Sequence, residues 1–381
     1  PMTSKELLLA AIRSKPVDYV PMMFGFWGRP RHARAIWKDE RERLQFYKAR
    51  GWDARLDLWC GVNPGPEVRT EVIREKDDVG GVLRQIWHTP AGVLTERLRM
   101  TDDWPEARET TKGIGLLHDF RTARYLEAPF KNEKDLDHLP YLFPLEVSAG
   151  ERDWLTRSVR DTRALADEFQ VPVFLDSRPG LDWMLWLFPA EEAVLLAVDQ
   201  PAMTRRLLEH IAEAYRRRVD LYLSLGIDVL IRSGWYESAD VWSPDLYRQL
   251  AVPELKREIR AAHDAGTAVV YLMDSGAVPL LPDLAGLEFD CLSGVDPATA
   301  GGTDLARVRR DLPGKSLWGG ISGPLHLGRG TTAEVEQAVE RAFVACGKRG
   351  FVLGPMVGIR FDWPWENLEA CDRAWRRLRQ Y

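Results

Sequence analysis

The chain alternates between short apolar runs and longer amphipathic stretches. About eight of the runs are rich in β-branched and aromatic residues, and each stops at charged, Gly or Pro residues. Strands that alternate with helical spacers are typical of βαβ units and a parallel sheet. This number of repeats predicts an α/β fold, a (β/α)8 TIM barrel, with its active site where strands end and loops begin. The predicted strands are Tyr19–Phe26, Trp52–Trp59, Val171–Leu175, Asp228–Ile231, Ala268–Leu272, Phe289–Leu292, Ser316–Trp318 and Gly350–Leu353.

The pattern changes between residues 68 and 141. Val82–His88 and Gly92–Arg99 alternate polar and apolar residues around the turn Thr89-Pro90-Ala91-Gly92. Alternation is typical of antiparallel strands with one solvated face. The sequence therefore predicts a β-hairpin insertion over 68–141, after the second strand of a single domain that spans 1–381. This insertion is expected to form a lid or a dimer surface.

Composition narrows the function classes. The net charge of −5 gives no basic footprint for nucleic acid. No run approaches the ~18 apolar residues of a membrane span, and the amino terminus lacks the apolar region of a signal peptide. The four cysteines are widely spaced and form no CxxC motif, which is typical of reduced thiols in a cytosolic protein. We expect a cytoplasmic protein, with a homodimer as the candidate assembly and no nucleic-acid or membrane partner.

Charged side chains follow several predicted strands. Arginines in these positions are expected to meet at the barrel mouth, where a guanidinium suits carboxylates or phosphates. Asp274 stands out because it ends an apolar strand and precedes Ser275-Gly276. Burial would raise its pKa and a nearby arginine would lower it, and either fits acid–base work. The alternatives are that the charges brace the mouth as ion pairs and that Asp274 caps a helix. The predicted catalytic residues are Asp274, Glu237, Arg178 and Arg232.

Aromatic residues accompany these charges. The chain has 15 tryptophans, and several of them fall at strand ends, where they suit a flat ligand. Aromatic rings surrounded by charge predict a pocket for an aromatic or macrocyclic acid. The predicted substrate-binding residues are Trp27, Arg29, Asp182, Trp183, Trp235, Tyr236, Tyr271, Met273 and Arg360.

Three segments carry a family resemblance. They are the opening Ser4–Arg13 with Val17–Pro21, the stretch Trp242–Tyr247 with Val252–Leu255, and the closing Gly354–Leu368. Together they resemble the uroporphyrinogen decarboxylase superfamily, which also holds corrinoid:thiol methyltransferases. The resemblance covers most of the chain outside the insertion. It implies a (β/α)8 barrel with a pocket at its carboxyl-terminal mouth.

The signature residues of both branches are missing. Decarboxylases carry Arg-x-x-Gly-Arg after the first strand, and the matching stretch Gly25–Arg29 keeps only the second arginine. Their histidine after the last strand falls at about Val357. The methyltransferases bind zinc through His-x-Cys-Gly and a later cysteine, which correspond to Met273–Gly276 and again about Val357. Since zinc needs about three protein donors, no zinc is expected.

Three hypotheses follow. The first is a methyltransferase-like enzyme that moves a methyl group to or from an aromatic or acidic small molecule, with a corrinoid (cobalamin) supplied by a partner protein. Asp274 or Glu237 would protonate a methyl ether in that reaction. The second is a carboxy-lyase acting on a porphyrinogen or an aromatic acid, with arginines holding the carboxylates. The third is a non-catalytic ligand-binding barrel.

Overall fold

The structure is a computed structural model that describes residues 2–26, 37–298, 303–356, 358–360 and 362–381. Its strands, in chain order, are β1 (Leu56–Trp59), β2 (Arg69–Lys76), β3 (Gly81–Thr89), β4 (Gly92–Arg99), β5 (Tyr125–Glu127), β6 (Val173–Ser177), β7 (Val229–Ser233), β8 (Ala268–Leu272), β9 (Cys291–Val295), β10 (Ser316–Ser322) and β11 (Phe351–Met356).

The helices alternate with most of these strands. In chain order they are α1 (Ser4–Ile12), α2 (Glu40–Arg50), α3 (Pro105–Glu109), α4 (Leu139–Leu142), α5 (Ala149–Phe169), α6 (Asp182–Leu187), α7 (Ala190–Asp199), α8 (Pro201–Ser224), α9 (Pro244–Leu250), α10 (Val252–Asp264), α11 (Leu281–Ala285), α12 (Leu305–Asp311), α13 (Thr332–Cys346) and α14 (Trp365–Leu378). No helix in the described ranges combines the length and apolar character that a membrane crossing requires.

The chain divides into two compact units. Unit 1 comprises Pro1–Cys60, Gly150–Ser177 and Asp220–Tyr381, and unit 2 comprises Gly61–Ala149 and Arg178–Val219. The insertion expected at 68–141 falls within unit 2. The single domain expected over 1–381 stays a prediction.

Unit 1 contains a seven-stranded sheet in the order β1-β6-β7-β8-β9-β10-β11, in which every pairing is parallel. The sheet is curled, because the rings of Phe174 on β6 and Trp318 on β10 meet at 6.1 Å although three strands separate them. A curled parallel sheet with intervening helices is the α/β architecture of TIM-like barrels. The strand limits need a correction, since β7 continues through Arg232 to Ser233 and β10 continues to Ser322.

The first predicted strand, Tyr19–Phe26, is a second correction. Within it Met22 forms a parallel bridge to Leu353 of β11, and Met23 forms one to Asp53, just before β1. These bridges are isolated and form no continuous ladder. Pro21 has no N–H to contribute, which limits pairing at this point. The segment nevertheless pairs with both ends of the sheet.

One face of the sheet, called the inner face from here on, is covered at the amino ends of its strands by α1. Leu8, Ala11 and Ile12 of this helix pack with every second residue of the strands, such as Val229 and Ile231. The period of two follows from strand geometry, because successive side chains point to opposite faces. The intervening residues therefore face the outer helices.

Aspartates fix the amino ends of the strands. The carboxylate of Asp228 accepts a hydrogen bond from the backbone N–H of Val173 at 2.8 Å, and that of Asp290 accepts one from Val269 at 2.7 Å. Asp53 accepts the N–H of Met22 at 3.1 Å in the same way. Each carboxylate thus satisfies a donor that the ladder leaves unpaired.

Unit 2 contains an antiparallel sheet in the order β2-β3-β4-β5. The strands β3 and β4 form the hairpin expected from the alternating pattern, and Thr89 pairs with Gly92 across the predicted turn. Leu83 and Leu98 pack with Trp104 in a core of this unit. The antiparallel hairpin of the insertion is therefore confirmed, although the compact unit around it is larger than 68–141.

Candidate active site

The carboxyl ends of the parallel strands bring polar side chains onto the inner face. Asp176 on β6 and Ser233 on β7 have the same parity as the inner-face residues Phe174 and Ile231. The hydroxyl of Ser233 donates a hydrogen bond of 2.9 Å to Oδ1 of Asp176, and both side chains are buried. In α/β barrels this end of the sheet holds the active site.

The loop after β8 carries the predicted catalytic residue Asp274, which is half-buried. Its backbone N–H donates to the carbonyl of Trp235 at 3.4 Å, and Met273 donates to the carbonyl of Ser293 at 3.0 Å. Gly276 has a φ of +62°, and a Cβ there would lie 2.8 Å from the backbone nitrogen of Ala239. The glycine is therefore required by the close approach of the loops after β7 and β8.

Arg232 occupies the opposite face of β7. Its Nε donates to Glu258 of α10 at 2.6 Å, and its two terminal nitrogens donate to Glu237 at 3.0 and 3.1 Å. The hydroxyl of Tyr271 donates to the same Glu237 at 2.7 Å, and Tyr247 of α9 donates to Tyr271 at 3.3 Å. All of these side chains are buried. They form a network between the sheet and its outer helices.

Burial dominates the electrostatics of this network. It raises the pKa of Glu258 to about 7, although the attraction of Arg232 opposes the shift. Burial also raises the pKa of Tyr271, and Glu237 and Tyr247 add to that effect. For Arg232 burial favours the neutral form, but Glu237 and Glu258 outweigh it and hold the pKa well above its usual value. Arg232 is therefore a cation whose charge is matched inside the protein.

Three predicted site residues lie in unit 2. Trp183 is buried in α6, and its indole N–H donates to the carbonyl of Arg178 at 2.8 Å. Its ring contacts Phe143 edge-on at 4.8 Å and Trp186 at 5.2 Å. Asp182 is the first residue of α6 and is also buried. Within unit 2 the 178–183 turn is thus held by aromatic packing.

The other predicted residues are more dispersed. Trp235 and Tyr236 are half-buried in the loop after β7, and Arg360 is exposed. Trp27 and Arg29 lie outside the described residues, as does Val357. In unit 1 the structure thus brings Arg232, Glu237 and Tyr271 into one network and sets Asp274 beside the backbone of Trp235.

Several polar side chains on the inner face were not predicted from the residues at strand ends. Asp176 and Ser233 were not among the predicted site residues, and neither were Arg55, Asp57 and Trp59, which occupy every second position from just before β1 to its last residue. Asp57 pairs in register with Phe174 and Trp59 with Asp176, so these side chains share the inner face. The alternation of polar and apolar residues in this segment was the available signal, since a wholly buried strand is apolar on both faces.

The residues at the zinc-ligand positions of the methyltransferases decide whether this chain could bind zinc. The positions that correspond to the zinc ligands hold Met273 and Ser275, and among the described residues no group of three His, Cys, Asp or Glu side chains is arranged to hold a metal ion. The side chains at these positions are therefore not suited to bind zinc.

These features define an α/β enzyme scaffold of the TIM-like kind with a polar inner face. The family model for uroporphyrinogen decarboxylase (URO-D) matches residues 117–378. The chain therefore belongs to the uroporphyrinogen decarboxylase family, an enzyme family, and the expected resemblance is confirmed.

One solved structure shares the fold over almost the whole chain. A methyltransferase from Methanosarcina mazei is similar with a TM-score of 0.60 and 18% identity, covering 99% of this chain and 99% of that chain. A B12-independent methionine synthase from Shewanella sp. W3-18-1, in complex with selenomethionine, has a TM-score of 0.43 and 13% identity, covering 57% of this chain and 66% of that chain. No curated protein matches the chain.

Proposed function

We propose that the protein is a methyltransferase-like enzyme that removes a methyl group from the ether oxygen of a small aromatic or acidic molecule. The observation that carries the proposal is the carboxylate–hydroxyl pair of Asp176 and Ser233, joined at 2.9 Å on the inner face. The charge of Arg232, which a polycarboxylate would need, is instead matched by two glutamates on the other face. A protonated carboxyl group at such a site can donate a hydrogen bond and then a proton to an ether oxygen, which only accepts.

The methyl acceptor in this proposal is a corrinoid carried by a partner protein, and it is therefore a co-substrate. In its reduced cob(I) form the co-substrate would supply the electron pair for the new bond to the methyl carbon. The bond between the methyl carbon and the ether oxygen breaks, and its electron pair stays on that oxygen. Asp274 gives the oxygen a proton, and Asp176, oriented by Ser233, accepts a hydrogen bond from the product hydroxyl. The product is the demethylated alcohol or phenol.

The aromatic residues of the loops complete the proposed site. Trp235 and Tyr236 are half-buried and belong to the loop whose backbone contacts Asp274. They are assigned to the flat body of the substrate. Glu237 is not proposed as the acid, because its carboxylate already accepts hydrogen bonds from Arg232 and Tyr271.

The test is a spectroscopic methyl-transfer assay. The protein is mixed with cob(I)alamin and aryl methyl ethers, and the conversion to methylcob(III)alamin is followed by absorbance. Asp274→Asn is expected to slow the wild-type reaction about 100-fold, the range typical of a lost general acid. Asp161→Asn, at an exposed position on α5, serves as the control and keeps the wild-type rate. A wild-type protein that gives no methyl transfer with any ether would contradict the proposal.

Family membership supports a second candidate, a carboxy-lyase acting on a porphyrinogen or an aromatic acid. In that reaction Arg360 would bind a carboxylate, and Asp274 would stabilise the developing positive charge. Release of CO₂ from uroporphyrinogen or coproporphyrinogen, abolished by Asp274→Asn, would establish it in place of methyl transfer.

Three further expectations are also part of the proposal. We propose that residues 19–26 take the eighth strand position of a closed (β/α)8 barrel, which the bridges of Met22 and Met23 support. We also propose that the protein is cytoplasmic and that it forms a homodimer.

A further inference from the structure

Arg55 lies just before β1 and reaches into the space between opposite strands of the curled sheet. Its guanidinium carbon is 4.8 Å from the ring centroid of Phe174 and 4.9 Å from that of Trp318. These two rings belong to the inner-face cluster and meet each other edge-on at 89°. The guanidinium is therefore an inner-face cation held over two aromatic rings.

The donors of this guanidinium are only partly used. Its Nε contacts the Asp57 carboxylate at 2.9 Å. Its two terminal nitrogens, Nη1 and Nη2, donate no hydrogen bond to any residue in the described part of the chain. The side chain is 21% exposed, so it is not sealed from solvent. Arg232 is the opposite case, because both of its terminal nitrogens are bound to Glu237.

We propose that Arg55 is the carboxylate-binding residue of the inner-face site and that its Nη1 and Nη2 edge accepts one carboxylate of a small aromatic acid. A planar pair of N–H donors matches the two oxygens of a carboxylate, and aromatic rings across the guanidinium fix its orientation. The inference deepens the proposed function, on which it rests for the identity of the reacting group. It names the substrate class as an aromatic monocarboxylate.

The charges around Arg55 limit the ligand to one carboxylate. Asp57 and Asp176 lie on the same face, so a second or third anionic group would meet negative side chains there. Like charges at short range cost free energy that a single guanidinium does not repay. A dianionic phosphate is disfavoured for the same reason.

Strand geometry places Asp176 one inner-face position beyond the ring that Arg55 contacts. Phe174, against which Arg55 stacks, and Asp176 are two residues apart on β6, or about 7 Å. Trp59 pairs with Asp176 and is 54% exposed, so it offers a flat surface at the same level. An aromatic ring whose carboxylate binds Arg55 would therefore lie on the face that carries Trp59 and Asp176.

The inference is tested by calorimetric titration with 4-methoxybenzoate and its neutral amide, 4-methoxybenzamide. The wild-type protein is expected to bind the acid at least 10-fold more tightly than the amide. Arg55→Gln should weaken binding of the acid about 10–100-fold, the range for charge-assisted hydrogen bonds to a carboxylate. Arg55→Lys should recover only part of this, because an ammonium lacks the fork. Arg160→Gln, at an exposed position on α5, is the matched control and should bind like wild type.

A second variant, expected to bind the acid more tightly, distinguishes a specific effect on binding from a general loss of folding. Asp57→Asn removes a carboxylate that competes for Arg55 and repels the ligand, so it should tighten binding of the acid several-fold. Unchanged affinity in both Arg55→Gln and Asp57→Asn would overturn the inference, as would equal affinity of the wild type for acid and amide. Binding that depends on Arg55, without methyl transfer to cob(I)alamin, would keep this inference and refute the proposed function.

Discussion

Asp53 is a buried carboxylate that ties together three parts of unit 1. It accepts hydrogen bonds from the hydroxyl of Tyr19 at 2.9 Å, the hydroxyl of Ser4 at 3.1 Å and the backbone of Met22 at 3.1 Å. Burial nevertheless prevails over these bonds and raises the pKa of Asp53 to about 6. The hydrogen bonds of this carboxylate therefore hold the three segments together, whereas its negative charge, when ionised, destabilises the folded state.

This raised pKa predicts a pH dependence of stability. The pKa of Asp53 is about 4 in the unfolded chain and about 6 in the folded protein. Because the folded protein binds this proton more tightly, the contribution of Asp53 to the free energy of unfolding falls as pH rises from about 4 to about 6. The loss across this window is about 2–3 kcal/mol. In Asp53→Asn this part of the decline should disappear, as measured by urea unfolding between pH 4 and pH 7.

The comparison is made as a difference between protein variants at each pH. Asp161→Asn, whose carboxyl is exposed, should follow the wild-type curve. An Asp53→Asn curve parallel to that of the wild type would contradict the assignment.

At the scale of elements, the network around Arg232 joins β7 to α10 through buried charges. Its guanidinium is matched by Glu237 and Glu258, and removing one member of such a group leaves uncompensated charge in the interior. Arg232→Met should therefore lower the free energy of unfolding by about 3–5 kcal/mol. Chemical denaturation followed by far-ultraviolet circular dichroism measures the effect.

A surface ion pair provides the matched comparison. Arg248 contacts Asp283 at 2.8 Å, but its side chain is 52% exposed, and Arg248→Met should cost no more than about 1 kcal/mol. Equal losses in the two variants would show that the Arg232 network does not brace the sheet.

The same network explains where strand prediction from the sequence succeeds and fails. Ala268–Leu272 was predicted with its observed limits, because its apolar residues are buried on both faces. The sequence predicts that the preceding strand ends at Ile231, because the charged Arg232 follows it. Backbone pairing continues through Arg232, since its charge is matched by Glu258 from a helix that is distant in sequence. A long-range partner of this kind leaves no local pattern.

The candidate site was predictable to a similar degree. The position of Asp274 after β8 follows from the alternation of strands and helices. The orientation of Arg232 does not, because a shift of one residue in the assumed strand end exchanges the two faces. Arg55 was missed because its role depends on Trp318, which comes from a strand on the other side of the curled sheet.

At the scale of the whole molecule, α1 connects distant parts of the chain. Its Leu8 is fully buried in the inner-face cluster, with residues that come from most of the strands of the parallel sheet. Ser316 at the start of β10 donates its hydroxyl to the carbonyl of Ala11, and Arg13 donates to the carbonyl of Gly266 before β8. The helix therefore closes the amino end of the sheet, and its packing depends on contacts of long sequence separation.

Leu8→Ala is consequently expected to weaken the sheet as a unit. Loss of a fully buried leucine costs about 2–5 kcal/mol, whereas Leu9→Ala, at a partly buried neighbour, should cost less because less apolar area is lost. Hydrogen exchange followed by mass spectrometry should show faster exchange in β6 to β11 together. Faster exchange confined to α1 would mean that the helix is a detachable cover and that the inner face is stable without it.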